Sequence, residues 1–333
     1  MTEPDLPFVS VVIPVFRNHD GLKRCLNALS QQDYPSESYE VIVVNNALDD
    51  EILDTVAGFS NVVTTVEAIP GSYAARNKGI SMARGAIVAF TDSDCVPAPN
   101  WLNKGVHHLL QQDNCGLLAG RVELFFKNVS TPTAIELFEA TVGFPFDQER
   151  YLREGRFGAT ANVFTRQVVL QHVGPFDAEL KSGGDLEWGR RVHHAGYAQA
   201  YAPDVVVGHP ARATLRALHR RVARVMGGAH DVLVKLHGPP PLPYLLKFLY
   251  GDFLAPAITT AVRGPSAAAK RRPISALMLW VPFSSIPFLW RSPGLQHLPP
   301  SRRVKVVFAT ILFGHFMGAE RLRLYLGGRS RRD

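Results

Sequence analysis

Ala86-Ile87-Val88-Ala89-Phe90-Thr91-Asp92-Ser93-Asp94 is an apolar run of strand length that ends in two carboxylates separated by one small residue. A strand that delivers two acids at its carboxyl end offers hard oxygen ligands for a divalent cation, and such a cation can neutralise a diphosphate. Taken alone, the triplet also reads as a turn whose short polar side chains cap the backbone. The surrounding residues have to decide.

Upstream, Phe8 to Pro14 and Tyr39 to Asn45 are β-branched runs closed by proline or polar residues, with a helical stretch at Leu22 to Leu29 between them. That is a strand, helix, strand unit, and near-continuous apolar strands suit a parallel sheet covered on both faces. A third strand is predicted at Asn61 to Glu67, a helix at Tyr73 to Ala83, and a fourth strand at Ala86 to Phe90. The expected fold is α/β, with a doubly wound, mostly parallel sheet flanked by helices. Ligands of such sheets sit beyond the carboxyl ends of the strands, so Pro14 to Arg17, Asn45 to Asp50 and Asp92 to Asp94 should converge on one crevice. A plain dinucleotide fold is excluded, because Pro14-Val15-Phe16-Arg17-Asn18 stands where a glycine fingerprint would be.

Farther on, a helix is predicted at Asn100 to Gln111 and a strand at Gly116 to Leu124, followed by a loop-rich stretch from Gly143 to Gly158. Gly183-Gly184-Asp185-Leu186-Glu187-Trp188 then sets an acid at the start of a helix that ends at Gly196. Asp185 reads either as a capping side chain or as a carboxylate held at a mobile loop.

With 333 residues and 46% hydrophobic content, the chain can bury one large core with a smaller appended region. Three cysteines without metal-site spacing, Cys25, Cys95 and Cys115, point to reduced thiols. Met1 to Leu6 lacks the basic and apolar pattern of a secretory signal, so the first domain is expected in the cytoplasm. The net charge of +7 divides unevenly, with +11 on residues 231–333 and −4 on residues 1–230. No basic stripe interleaved with aromatics crosses the body, which excludes nucleic acid as the main ligand; anionic lipid suits the tail better.

The tail begins at Pro239-Pro240-Pro241 and holds apolar stretches at Leu245 to Val262, Pro273 to Trp290 and Val306 to Ala319. Basic clusters flank them at Lys270-Arg271-Arg272, Arg302-Arg303 with Lys305, and Arg329 with Arg331-Arg332. The second stretch has 18 uncharged residues, short of the roughly 20 that span a bilayer, and contains Pro282 and Pro287. Two readings stay open: a shallowly inserted or peripheral membrane attachment at the cytoplasmic face, and a buried helical subdomain. The expected domains are therefore 1–230 and a basic, apolar helical region at 231–333.

The stretches Val9 to Arg17, Val41 to Asp50, Ala75-Arg76-Asn77-Lys78-Gly79, Ala86 to Asp94, Val173 to Asp177, Asp185 to Tyr197 and Tyr201 to His209 resemble, in order, the family 2 glycosyltransferases. These are inverting enzymes of the GT-A fold. The resemblance covers about residues 8 to 230 and implies Mg²⁺ or Mn²⁺ as cofactor, with a nucleotide sugar as donor, a UDP-sugar first. It implies a glycan or lipid-linked acceptor and a role in cell-surface or exopolysaccharide synthesis. Asp94 would ligate the cation, Asp92 would hold ribose or the metal's water shell, and His209 would approach the same ion or else simply pack at a strand end. Pro14, Val15, Ser93 and Arg76 would line the donor. Asn45 or Asn46 stands where the family usually has an aspartate that reads the base. Asp185 would be the catalytic base, with Gly184 replacing the usual preceding acid, and Glu187 and Trp188 would face the acceptor.

Two other readings are compatible with the triplet. Asp92-Ser93-Asp94-Cys95-Val96 also fits haloacid-dehalogenase-like phosphatases, although there the motif closes the first strand of the core. A catalytically silent binding protein of the same fold is the other, prompted by Asn45 and Gly184.

Overall fold

The computed structural model describes residues 6–49, 51–142, 146–238, 290–291 and 293–330. The apolar stretches expected at Leu245 to Val262 and, apart from Trp290, at Pro273 to Trp290 lie outside them, as do the proline linker and the Lys270-Arg271-Arg272 cluster.

In chain order the elements are β1 (Val9–Val15), α1 (His19–Leu29), β2 (Tyr39–Asn45), α2 (Glu51–Val56), β3 (Val62–Val66), α3 (Ser72–Met82), β4 (Ile87–Phe90) and β5 (Val96–Pro97). There follow α4 (Trp101–Leu110), β6 (Cys115–Phe125), α5 (Ala134–Thr141), α6 (Gln148–Arg150), β7 (Val163–Arg166), α7 (Gln167–Val173), α8 (Gly184–His194) and β8 (Ala198–Pro210). Last come α9 (Leu215–His237), α10 (Pro293–Gln296) and α11 (Pro300–Tyr325). The chain divides into two compact units, Met1–Phe125 with Phe146–Pro210, and Phe126–Pro145 with Ala211–Asp333.

The first unit is built on an eight-stranded sheet of order β3-β2-β1-β4-β7-β6-β8-β5. It is parallel from β3 through β4, and it becomes mixed where β7 runs antiparallel to both β4 and β6. Every residue of β2 and β4 is buried, as expected of strands covered on both faces. Helix α3 reaches the sheet closely because Gly79 leaves room: a Cβ there would stand 2.4 Å from a methyl of Val12. Trp101, Phe164, Leu22 and Leu26 fill the core on the other side.

The second unit is helical among its described residues. Phe138 of α5 packs on Phe313 of α11 at 5.1 Å, and Val222 and Met226 of α9 pack with Met317 and Leu324 of α11. The stretch Val306 to Ala319, read as apolar, is thus a helix with Val306, Val307, Ala309 and Met317 buried. No helix among the described residues is long and apolar enough to cross a membrane.

Candidate functional site

The apolar β4 strand stops at Phe90, and the next residues are pinned rather than free. The Thr91 hydroxyl donates to the Ala161 carbonyl at 3.0 Å, and the Cys95 N–H closes a turn on the Asp92 carbonyl at 3.0 Å. Asn18, which caps α1 through its side-chain oxygen, also donates its amide to Ser93 Oγ at 3.3 Å. The carboxyl ends of β1 and β4 are therefore tied together, with the two acids half-exposed between them.

Short strand β5 pairs antiparallel with β8, Val96 opposite Gly208, which brings His209 beside the acids. His209 Nε2 lies 3.8 Å from Asp94 Oδ1, and the ring is 6% exposed, packed 4.7 Å from Phe146. Its Nδ1 is 2.9 Å from the Pro210 carbonyl, which can only accept, so Nδ1 carries the hydrogen. In the neutral ring Nε2 then turns a lone pair toward a carboxylate, an arrangement that suits a cation between them. Ligand atoms of Asp92, Asp94, Cys95 and His209 all lie within 4.8 Å of one another. Two carboxylates and an imidazole fit Mn²⁺ or Mg²⁺, the imidazole favouring the former. Burial and the two neighbouring acids push the Cys95 thiol up, so it stays protonated and is the weakest donor of the four.

Asp92 is held from the other side. Arg76, 4% exposed on α3, donates to its Oδ1 at 2.5 Å, and the guanidinium lies over the Tyr73 ring at 5.8 Å. Its Nε is buried without a hydrogen-bond partner among the described residues. That burial sets Arg76 apart from a solvated surface arginine.

Asp185 lies in the first turn of α8. The cap is Gly183, at φ 83, without a side-chain bond, so the alternative that Asp185 serves as the helix cap does not hold. Its Oδ1 instead accepts the Thr160 hydroxyl at 3.1 Å. Its carboxyl is raised above the usual range, first by desolvation and then by the negative charge of Asp92, against the pull of Arg76 and Thr160. Asp185 is thus within electrostatic reach of the same arginine and acid that border the cation set.

Other expected residues are placed differently. Asn45 Oδ1 accepts from the Ala47 and Leu48 N–H groups, and its amide donates to the Asp49 carbonyl at 2.6 Å. The Asn46 amide donates to Glu67 and Ile69 carbonyls while its oxygen accepts from Gly71 N–H. Both side chains shape the loop after β2. Pro14 and Val15 close β1, and Val15 offers its carbonyl to Asn46 N–H. The acceptor-facing role expected for Trp188 does not fit, and Glu187 is engaged along its own helix. Glu187 is paired with Arg191, at 2.6 Å to Nε and 2.9 Å to NH2, and Trp188 is 1% exposed with its indole N–H on the Gly174 carbonyl. Gly184, Trp188 and Val192 recur at helical spacing and form the buried stripe of α8.

Sequence reasoning missed Thr160, Tyr73 and Cys95. Cys95 adjoins Asp94, the one local signal available; Thr160 meets Asp185 only through the fold.

The fold is that of the GT-A glycosyltransferases. The structure of the mannosyltransferase PcManGT from Pyrobaculum calidifontis, in complex with GDP-Man and Mn²⁺, superposes with TM-score 0.58 at 19% identity, covering 96% of this chain and 91% of that one. TarS 1–349 of S. aureus, in complex with UDP, gives 0.50 at 16%, covering 97% and 93%. Residues 10–174 match the model of glycosyl transferase family 2. The glycosyltransferase AglE of Haloferax volcanii is 39% identical over 62% of this chain and 68% of its own length. The pre-mycofactocin glycosyltransferase of Mycobacterium tuberculosis is 28% identical, over 68% of this chain and 48% of its own length. The chain belongs to the family 2 glycosyltransferases.

Proposed function

We propose that the protein is an inverting glycosyltransferase that moves a sugar from a nucleoside diphosphate donor to an acceptor hydroxyl, with Mn²⁺ or Mg²⁺ held by Asp94, Asp92 and His209. The observation that carries this reading is the convergence of the paired acids after β4 with one histidine and one buried arginine: Asp94 stands 3.8 Å from His209, Asp92 takes Arg76, and the ligand atoms of Asp92, Asp94 and His209 lie within 4.8 Å of one another. When bound, the cation would stabilise negative charge on the departing diphosphate. Arg76 lends a second positive charge on that side. Asp185 takes the proton from the acceptor hydroxyl as its oxygen bonds to the anomeric carbon; the bond to the diphosphate breaks on the opposite face, and its electron pair leaves with the nucleotide. Inversion follows. A raised pKa suits a base that must gain a proton near neutral pH.

A UDP-sugar remains the first candidate donor, with a GDP-sugar next; TarS was solved with UDP and PcManGT with GDP-Man. The amides of Asn45 and Asn46 are engaged in their loop, so neither stands ready to replace the base-reading aspartate that the resemblance leads one to expect. Family membership and the placement of the acids after the fourth strand speak against the phosphatase reading. For the acceptor, a cell-surface or exopolysaccharide glycan or its lipid-linked precursor is proposed, met at the cytoplasmic face of a membrane. The support is α11, where Arg302, Arg303 and Lys305 stand beside Val304 and Phe308, 57% and 56% exposed. A thermal-shift screen of UDP-, GDP- and dTDP-sugars with and without Mn²⁺ tests the donor. A metal-dependent shift with one of them is expected, and no response to any would contradict the proposal.

A further inference from the structure

We infer that Thr160 is the positioning residue of the general base, orienting the Asp185 carboxylate so that one oxygen is tied to the protein and the other is presented to the acceptor. The inference rests on the reading of Asp185 as base. Asp185 follows Gly183 and Gly184, neither of which has a side chain to fix the helix entry, so its orientation must come from another element. Arg76 gives its hydrogen bond to Asp92 and acts on Asp185 through charge, which does not fix the direction of either oxygen. The hydrogen bond that holds Asp185 comes from Thr160, which is 3% exposed and turns its hydroxyl to Oδ1 at 3.1 Å.

Thr160 can hold a charge in place because its own segment is anchored on every side. Gln148, 1% exposed, donates to the Ala159 and Asn162 carbonyls and accepts from the Ala159 N–H at 2.7 Å. Asn162, fully buried, donates to the Arg121 and Val205 carbonyls and accepts from the Trp101 indole at 2.9 Å. Between them, Ala161 receives the Thr91 hydroxyl from the residue preceding Asp92. One rigid turn thus joins the strand end that carries the paired acids to the carboxylate that takes the proton. A β-branched threonine has few side-chain rotamers, so the hydroxyl is pre-aimed.

The test compares Thr160→Val, Thr160→Ser and Asp185→Asn, measuring nucleoside diphosphate release to water from UDP-glucose, UDP-GlcNAc and GDP-mannose with Mn²⁺. Thr160→Val should lower kcat by about tenfold or more while donor KM stays within about twofold, because a hydrogen bond to a charged group is lost without touching the donor. Thr160→Ser should restore most of the rate, and Mn²⁺-dependent thermal stabilisation by donor should be the same in all three proteins and the wild type. Should the valine variant fail to fold, Thr160→Ala against Thr160→Ser makes the same comparison. Wild-type kcat in Thr160→Val, or a serine variant as impaired as the valine, overturns the inference while Asp185→Asn remains inactive. Unchanged turnover in Asp185→Asn, or no release from any donor by the wild type, overturns instead the reading beneath it.

Discussion

The Tyr73 ring lies against the α-carbon of Gly184: a Cβ at that position would come within 2.7 Å of the ring. The same ring stacks on Phe176 at 5.8 Å and underlies the Arg76 guanidinium. Where the resemblance leads one to expect an acid before the base, this chain has an aromatic ring instead, and the missing side chain is what admits it.

Gly184→Ala is accordingly expected to lower stability by about 1–3 kcal/mol through overpacking, and to reduce activity by displacing the residue beside Arg76 and Asp185. Combining it with Tyr73→Ala should recover part of the lost stability. Thermal unfolding of the single and double variants measures the coupling; additive losses would show that the two sites are independent.

Asp185 makes a pH prediction with a definite sign. Its carboxyl is raised in the folded protein, so its contribution to stability is present below the unfolded pKa and is lost as pH rises through the folded one. Asp185→Asn should therefore raise Tm at neutral pH, without cation or nucleotide, and the gain should fade as the pH falls. The acid limb of kcat/KM in the wild type should lie above the ordinary aspartate range.

In the second unit Glu139 is 1% exposed between Arg221, at 2.8 Å, and Arg212, at 3.2 Å. Burial pushes its carboxyl up, but the two guanidinium groups and the Arg212 N–H outweigh that and hold it below the usual range. Glu139→Gln is expected to cost about 3–5 kcal/mol, the penalty for leaving buried charge uncompensated. Since the shift is downward, the loss should be full at neutral pH and shrink as acid protonates the wild-type carboxyl, which urea unfolding at several pH values will show.

The membrane proposal is read by vesicle flotation. The full chain should float with vesicles rich in phosphatidylserine, less so at high salt, and the triple change Arg302→Glu, Arg303→Glu, Lys305→Glu should abolish it. Equal flotation on neutral vesicles would argue for a different attachment.

The strands were legible because β1, β2 and β4 are nearly unbroken runs of β-branched or apolar residues, a pattern tied to burial on both faces. Asp92 and Asp94 were legible because they follow such a run directly. Asp185 stood out after two glycines, but the sequence placed it at the cap, whereas the helix begins one residue earlier. What adjacency could not give were the partners: Arg76 is 16 residues from Asp92 and Thr160 is 25 from Asp185. Trp188 was misplaced for a simpler reason. Read by helical spacing with Gly184 and Val192, it belongs to the buried stripe, and that periodicity outweighs the common use of tryptophan as a sugar platform.

Calorimetric titration of the favoured sugar nucleotide, with and without Mn²⁺, into wild type, Asp94→Asn and His209→Ala, tests the cation site most directly. Binding to the wild type should strengthen at least about tenfold with Mn²⁺, and that gain should vanish in Asp94→Asn and diminish in His209→Ala. A gain of equal size in all three proteins would contradict the account.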